Sequence, residues 1–465
     1  AFFTADTPTL TVAGSLVVNS SSTFPTLATV TFDGAICDCS FDASGRTFTQ
    51  VVFNKSGSVA GYPTFTVASG TTAPLGNSPT ITSDNTHVSG YTSNFTNNGT
   101  ITVGTGTVTF TVDGTFTNSG TITTKTVTRS GTAITNATNS TVNFIGDVDG
   151  AADTFSINTF ATTYYNLTFN ATDGTSDIFQ AGATLTINKD ITVTAGIFRA
   201  NSSNLSGAGA SDTFSVANGA IFEMTGTTVY PASFTTYTYG ATSTVRYNQS
   251  GALTVTNASY GHLDLKPSAA VTFTLPGTLS TIVGDLTIGD GSAAGIVNAD
   301  TNDPTLDVNG HLVIAASGTL IASNSGTFTV ASNWTNSGTF THSSGTVTLD
   351  GTSQTIAGST TFNNFTKSVS SAATLTFTAG TTQTIAGTMT LNGASGQLLS
   401  LRSSSTPSIW TINPQGTRTI SYLDVKDSTN SNATAISVSG LNITNSLNNT
   451  NWAFNATPSV SSLAP

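Results

Sequence analysis

Charge is the first thing this chain lacks. Only 8% of its 465 residues are Asp, Glu, Lys or Arg, against about 25% in an ordinary soluble domain. Glutamate occurs once, at Glu223, so nearly all the acid is aspartate. The 12 Lys and Arg are outnumbered by 23 acids, the net charge is −11, and no basic stripe runs along the chain. A nucleic-acid-binding surface is therefore excluded. No apolar run reaches the roughly 18 residues of a bilayer-crossing helix, so no membrane span is expected. Good helix formers are scarce beside Thr, Ser, Asn and Gly, which excludes a mainly helical fold. Charge-driven disorder is excluded as well, because 37% of the residues are hydrophobic and 27 are Phe, enough for a core.

Cysteine is nearly absent. The two thiols, Cys37 and Cys39, stand in the run ICDCSFD. One intervening residue strains an ordinary disulfide. A local disulfide or a pair of buried thiols is expected rather than a metal site, since two thiolates do not complete a tetrahedral zinc shell and no His is near. The chain opens Ala1-Phe2-Phe3-Thr4 without Met, as a mature N-terminus left by signal-peptide removal does. Asn-x-Thr acceptors occur at Asn94, Asn98, Asn166, Asn333 and Asn364. The expectation is a secreted, extracellular or cell-surface protein with sites for glycosylation.

Small polar residues fill the space left. The sequence holds 95 Thr, 57 Ser, 38 Asn and 44 Gly, half of the chain. They are ordered in repeats. NFTNNGTI at Asn94 to Ile101 recurs as TFTNSGTI from Thr115 and as NWTNSGTF from Asn333, and QTIAG occurs at Gln354 and Gln383. A longer period lies above these. TVTFDG begins at Thr29, TVNFIG at Thr141, TVRYNQSG at Thr244 and TVTLDG at Thr346, each followed by a second marker such as YNLTFNATDG at Tyr165 or NNFTKSVSS at Asn363. The expected divisions are an N-terminal segment 1–28 and units 29–140, 141–243, 244–345 and 346–454, with a tail 455–465. Within units, apolar residues alternate with Thr, as at Ile101, Val103, Val108, Phe110 and Val112. That is the period of a strand with one buried face.

Two all-β architectures fit this pattern. One is a parallel β-solenoid, in which each coil stacks on the last. The other is a string of four Ig-like β-sandwiches of about 100 residues each. The short repeats run within and across the long units, no Pro-rich or charged linker separates them, and no Cys…Trp…Cys spacing occurs. These features favour the solenoid, with coils of about 20 to 25 residues. The run NWTNSGTFTHSSGTVTLDGTSQTIAGSTTFNNFTK, Asn333 to Lys367, resembles the Thr/Gly/Asn-rich right-handed β-helix regions of large secreted bacterial surface proteins, the adhesins and autotransporter-like passengers. The closing segment Ile420 to Phe454 resembles the last coils of such domains. The resemblance implies a right-handed parallel β-helix and a surface location, and it carries over no catalytic residue.

Chemistry is thin. His87, His262, His311 and His342 are scattered, without the neighbours of a triad, and the basic residues are spread out. No catalytic residue is assigned and no enzyme is expected. Calcium is the one cofactor the residues suggest. Asp300, Asn302 and Asp303 crowd a turn with Asp290 upstream and Asp307 downstream, and Asp147, Asp149 and Asp153 form a second group; hard oxygen ligands at alternate positions suit that ion. Asn/Asp turn chemistry alone explains both groups. Tyr164, Tyr165, Tyr230, Tyr237 and Tyr239 could supply either a sugar-binding patch or core. The N-terminal segment alternates Leu10, Val12, Leu16 and Val18 outside the repeats, as an inter-subunit strand or an end cap would. The expected function is a subunit of a surface filament or layer, built from copies of the chain by β-strand pairing. The alternative is a monomeric adhesin that binds cell-surface glycans or other cells.

Overall fold

The protein is seen in a computed structural model, which describes residues 9–454 apart from 13–15, 18–26, 33–38, 43–47, 55–63, 68–71, 76–79, 85–93, 104–106, 113–115, 132–133, 147–148, 158–159, 173–176, 203, 209–210 and 232. Side-chain surroundings are described from Phe95 onward, apart from residues 103–109, 111–115 and 126–133 and the later gaps above. The described residues are strands and turns, with no helix. The chain forms two compact units, Ala1–Ser243 and Thr244–Pro465.

Each unit is a parallel β-solenoid. One coil of the second unit shows the plan. Strands Thr346–Leu349, Gln354–Ala357 and Thr360–Phe362 lie in three different sheets, and Asn364–Ser368 returns to the first of them. Every pairing between described strands is parallel, for example Val347 opposite Phe365. A sandwich needs antiparallel neighbours, so the string of four Ig-like domains is wrong. Residues facing each other in successive coils lie from 16 positions apart (Ile436 and Trp452) to 30 apart (Phe65 and Phe95). The coils are thus less even than a 20- to 25-residue repeat, because corners absorb loops of different length while the strands keep register.

Register puts like on like. In the first unit Ile101, Ile122, Val142, Leu167, Ile191 and Phe214 form one inward column. In the second Leu263, Leu286, Leu312, Trp334, Ile356 and Phe377 do the same. All of these are buried. In another sheet of the second unit the strands send out threonines between their inward residues, so Thr327 sits over Thr346, and Thr329 over Thr348 and Thr366. A slip of one residue would expose the whole column, and this fixes the pairing. Aromatic rings stack along the interior, Phe169 on Phe198 at 4.4 Å and Phe377 on Trp410 at 3.8 Å.

The short repeats now have a physical reason. The Asn that follows Thr in each T-N-x-G run points inward, and Asn136 of the run T-N-A-T continues its column. Asn97 Nδ2 donates to Asn118 Oδ1 at 2.9 Å, Asn118 Nδ2 to Asn136 Oδ1 at 3.1 Å, and Asn136 Nδ2 to the Thr163 carbonyl at 2.9 Å. This amide ladder hydrogen-bonds at least one end of each buried polar side chain. The following glycine is required by close approach, since a Cβ on Gly120 would stand 1.9 Å from the Gly99 carbonyl oxygen.

The N-terminal segment joins the stack. Thr9–Val12 pairs with Leu27–Phe32, placing Leu10 opposite Val30 and Val12 opposite Phe32. Leu16 pairs opposite Phe41. Val18 and Cys37 lie outside the described residues, as does the Cys39 side chain.

Candidate functional site

The most ordered polar feature is a corner column in the second unit. Four residues in register, His262, Asp285, His311 and Asn333, each precede an inward Leu or Trp. The backbone N–H of each next residue is taken by the side chain one coil back. Asp285 N–H donates to His262 Nδ1 at 2.9 Å, His311 N–H to Asp285 Oδ1 at 2.7 Å, Asn333 N–H to His311 Nδ1 at 3.2 Å, and Thr355 N–H to Asn333 Oδ1 at 2.8 Å. A backbone N–H can only donate, so both imidazoles present an unprotonated Nδ1 here. Glycine before the column makes room: a Cβ on Gly284 would stand 2.6 Å from His262 Nδ1, and one on Gly310 2.4 Å from Asp285 Oδ1. The histidines are therefore corner acceptors. The sequence signal was the repeated pair Gly261-His262, Gly284-Asp285, Gly310-His311 and Ser332-Asn333.

The five residues considered for calcium do not converge as one group. Asp290 Oδ1 accepts the N–H groups of Ser292 and Ala293 in its own turn. Asn302 Nδ2 donates to the Leu275 carbonyl. Asp303 Oδ1 accepts from Ser323 Oγ at 2.9 Å and Asn324 N at 3.0 Å, while Asn324 Nδ2 reaches Asp300 Oδ1 at 2.9 Å. Asp307 takes the hydroxyls of Thr281 and Thr329. The turn does bring Asp300 and Asp303 together, across Asn324. In the second group Asp149 accepts the Ala151 N–H, and the Asp153 N–H donates to Asp177. Asp147 lies outside the described residues. Among the described residues no three His, Cys, Asp or Glu stand together as a metal shell. Hydrogen bonds hold two carboxyls below the usual carboxylate range, Asp290 chiefly through the Ser292 N–H and Asp303 chiefly through the Ser323 hydroxyl.

Buried charge is not legible in the local sequence pattern. Glu223 is buried and accepts from Arg199 Nε at 2.5 Å. Asp264 is buried between Arg246 and Lys266, at 2.9 and 3.0 Å. Lys367 and Gln354 are both buried and touch each other. Pairing makes such burial tolerable. Of the tyrosines, Tyr164 is fully buried, with its hydroxyl donating to the Ile157 carbonyl, so it belongs to the core. Tyr230, Tyr237 and Tyr239 form a half-exposed cluster, joined by a 2.6 Å contact between the Tyr230 and Tyr239 hydroxyls.

The fold and these contacts define a class, the Thr-rich parallel β-solenoid repeat proteins. No family model, curated protein or solved structure matches the chain. No helix of the described residues is long and apolar enough to cross a membrane.

Proposed function

We propose that the chain is a non-enzymatic structural protein of the cell exterior, which joins copies of itself by continuing its parallel stack at the N-terminal end. The observation that carries this reading is the strand Thr9–Val12. It is hydrogen-bonded to Leu27–Phe32 along one edge, and among the described residues no strand lies on the other. An open edge presents a row of N–H and C=O groups to an incoming extended strand. Contacts that pass from copy to copy without closing generate filaments or layers.

A second reading rests on the opposite end. The last strands, Ile436–Ser437, Thr444–Asn445 and Trp452–Ala453, have two residues each. So short an edge gives little ladder for another chain. This favours a monomeric adhesin whose exposed faces, the Tyr230, Tyr237 and Tyr239 cluster among them, meet glycans or other cells. Sedimentation of the full chain and of a variant lacking residues 1–22 separates the two. The polymer reading expects concentration-dependent association that the deletion abolishes, with strand content unchanged by circular dichroism. Equal association of both proteins would contradict it, and monomers throughout would favour the adhesin.

A further inference from the structure

The second unit encloses a lysine beside a carboxamide. Lys367, on strand Asn364–Ser368, is 0% exposed, and Gln354, on strand Gln354–Ala357, is 3% exposed. The same strands send Phe365 and Ile356 into the core. Lys367 Nζ donates to Gln354 Oε1 at 2.5 Å and to the Gly351 carbonyl. The orientation of the amide follows from chemistry. An amine facing it requires the oxygen, while the other end, Nε2, donates to the carbonyls of Val330 at 2.8 Å and Ser332 at 2.5 Å. The amine thus lies against the carbonyl end of the amide, and the nitrogen that would have to leave is held by acceptors on its far side.

We propose that Lys367 and Gln354 join in an intramolecular isopeptide bond. The Nζ lone pair attacks Gln354 Cδ and forms a C–N bond. The proton shed by Nζ passes to Nε2. The Cδ–Nε2 bond then breaks, and one ammonia leaves. The reaction needs no oxidant, metal or second substrate. Two features of the site suit it. Burial holds the Lys367 amine down to about 8, against the opposing pull of the Asp350 charge, so a fraction of it is neutral at neutral pH. Water, the competing nucleophile, is kept from a carboxamide that is itself buried. The bond spans 13 positions and ties together strands of two different sheets in successive coils, a clip that shortens the unfolded chain's free loop.

Mass spectrometry of the full chain decides this. Chymotryptic digestion of the denatured protein cuts after Phe362 and Phe365, between the two residues. The expected product is a branched peptide joining the Gln354 and Lys367 fragments, lighter by one ammonia than their sum. Lys367→Arg keeps the positive charge but is expected to give separate fragments of full mass, and Gln354→Met the same. Separate fragments from the wild-type protein, with the Lys367 amine open to acetylation, would overturn the proposal even if neither variant folds.

Discussion

At the scale of single residues, polar side chains do the work that backbone does elsewhere in a sheet. Asn118 illustrates it, with its amide shared between Asn97 and Asn136 inside the first unit. Replacing it by Ala strands a partner on each side in a buried site. Asn118→Ala is therefore expected to cost about 2 kcal/mol or more in urea unfolding; a loss below ~0.5 kcal/mol would show that the ladder is ornamental. The aspartates behave as turn acceptors. Adding calcium is expected to leave the melting temperature unmoved, and a rise of several degrees would place a cation at Asp300 and Asp303. Acid tests the same contacts. Asp290 and Asp303 sit below their ordinary value of 3.8. Burial pushes Asp427 up, but the Asn448 amide and Thr406 hydroxyl outweigh it, so this carboxyl is lowered too. The unfolded chain then binds protons that the folded one refuses, and stability rises with pH across that window. The stabilisation is present above about pH 4 and is lost as the pH falls through the lowered values. Urea midpoints at a series of acid pH values check the direction. The calcium grouping was visible in the sequence only as aspartates crowded in chain order. Their donors, Ser323 and Thr281, come from neighbouring coils, and no local spacing reveals them.

At the scale of elements, the strand pattern was legible because alternation of Thr with Ile, Val or Phe leaves one choice of face. Ile101, Ile122 and Val142 could be stacked from the repeats alone, since each follows a T-N-x-G run or begins a long repeat. The corner lengths could not. Between Phe144 and Leu167 the chain makes a long detour, yet Val142 still faces Leu167, because register answers to the buried column and not to spacing. Nor was the inward turn of Lys367 legible. Its neighbours Phe365 and Val369 suggest alternation, but a charged residue at the inward place breaks the rule. Glycine at the corners carries a testable share of the account. Gly358 has φ of +81°, and a Cβ there would stand 1.8 Å from the Asn336 carbonyl oxygen. Gly358→Ala is expected to destabilise the second unit by about 1–3 kcal/mol, from left-handed strain together with the displaced carbonyl. An unchanged urea midpoint would mean that this corner is looser than described.

At the scale of the whole molecule, the two units share one building rule and differ in their corners, an asparagine ladder in the first and the His262 to Asn333 column in the second. The parallel solenoid was legible because the short repeats cross the boundaries of the long ones, which sandwich domains would not allow. The proposed assembly has one sequence motive, the apolar-alternating segment Leu10, Val12, Leu16 and Val18 outside the repeats. The structure pairs that segment with its own chain on one side, and the proposed polymer needs the other. Electron microscopy of the purified full chain over a range of concentrations tests this most directly. Filaments or sheets that lengthen with concentration, and vanish when residues 1–22 are removed, are the expected result. Discrete single particles at every concentration would contradict it.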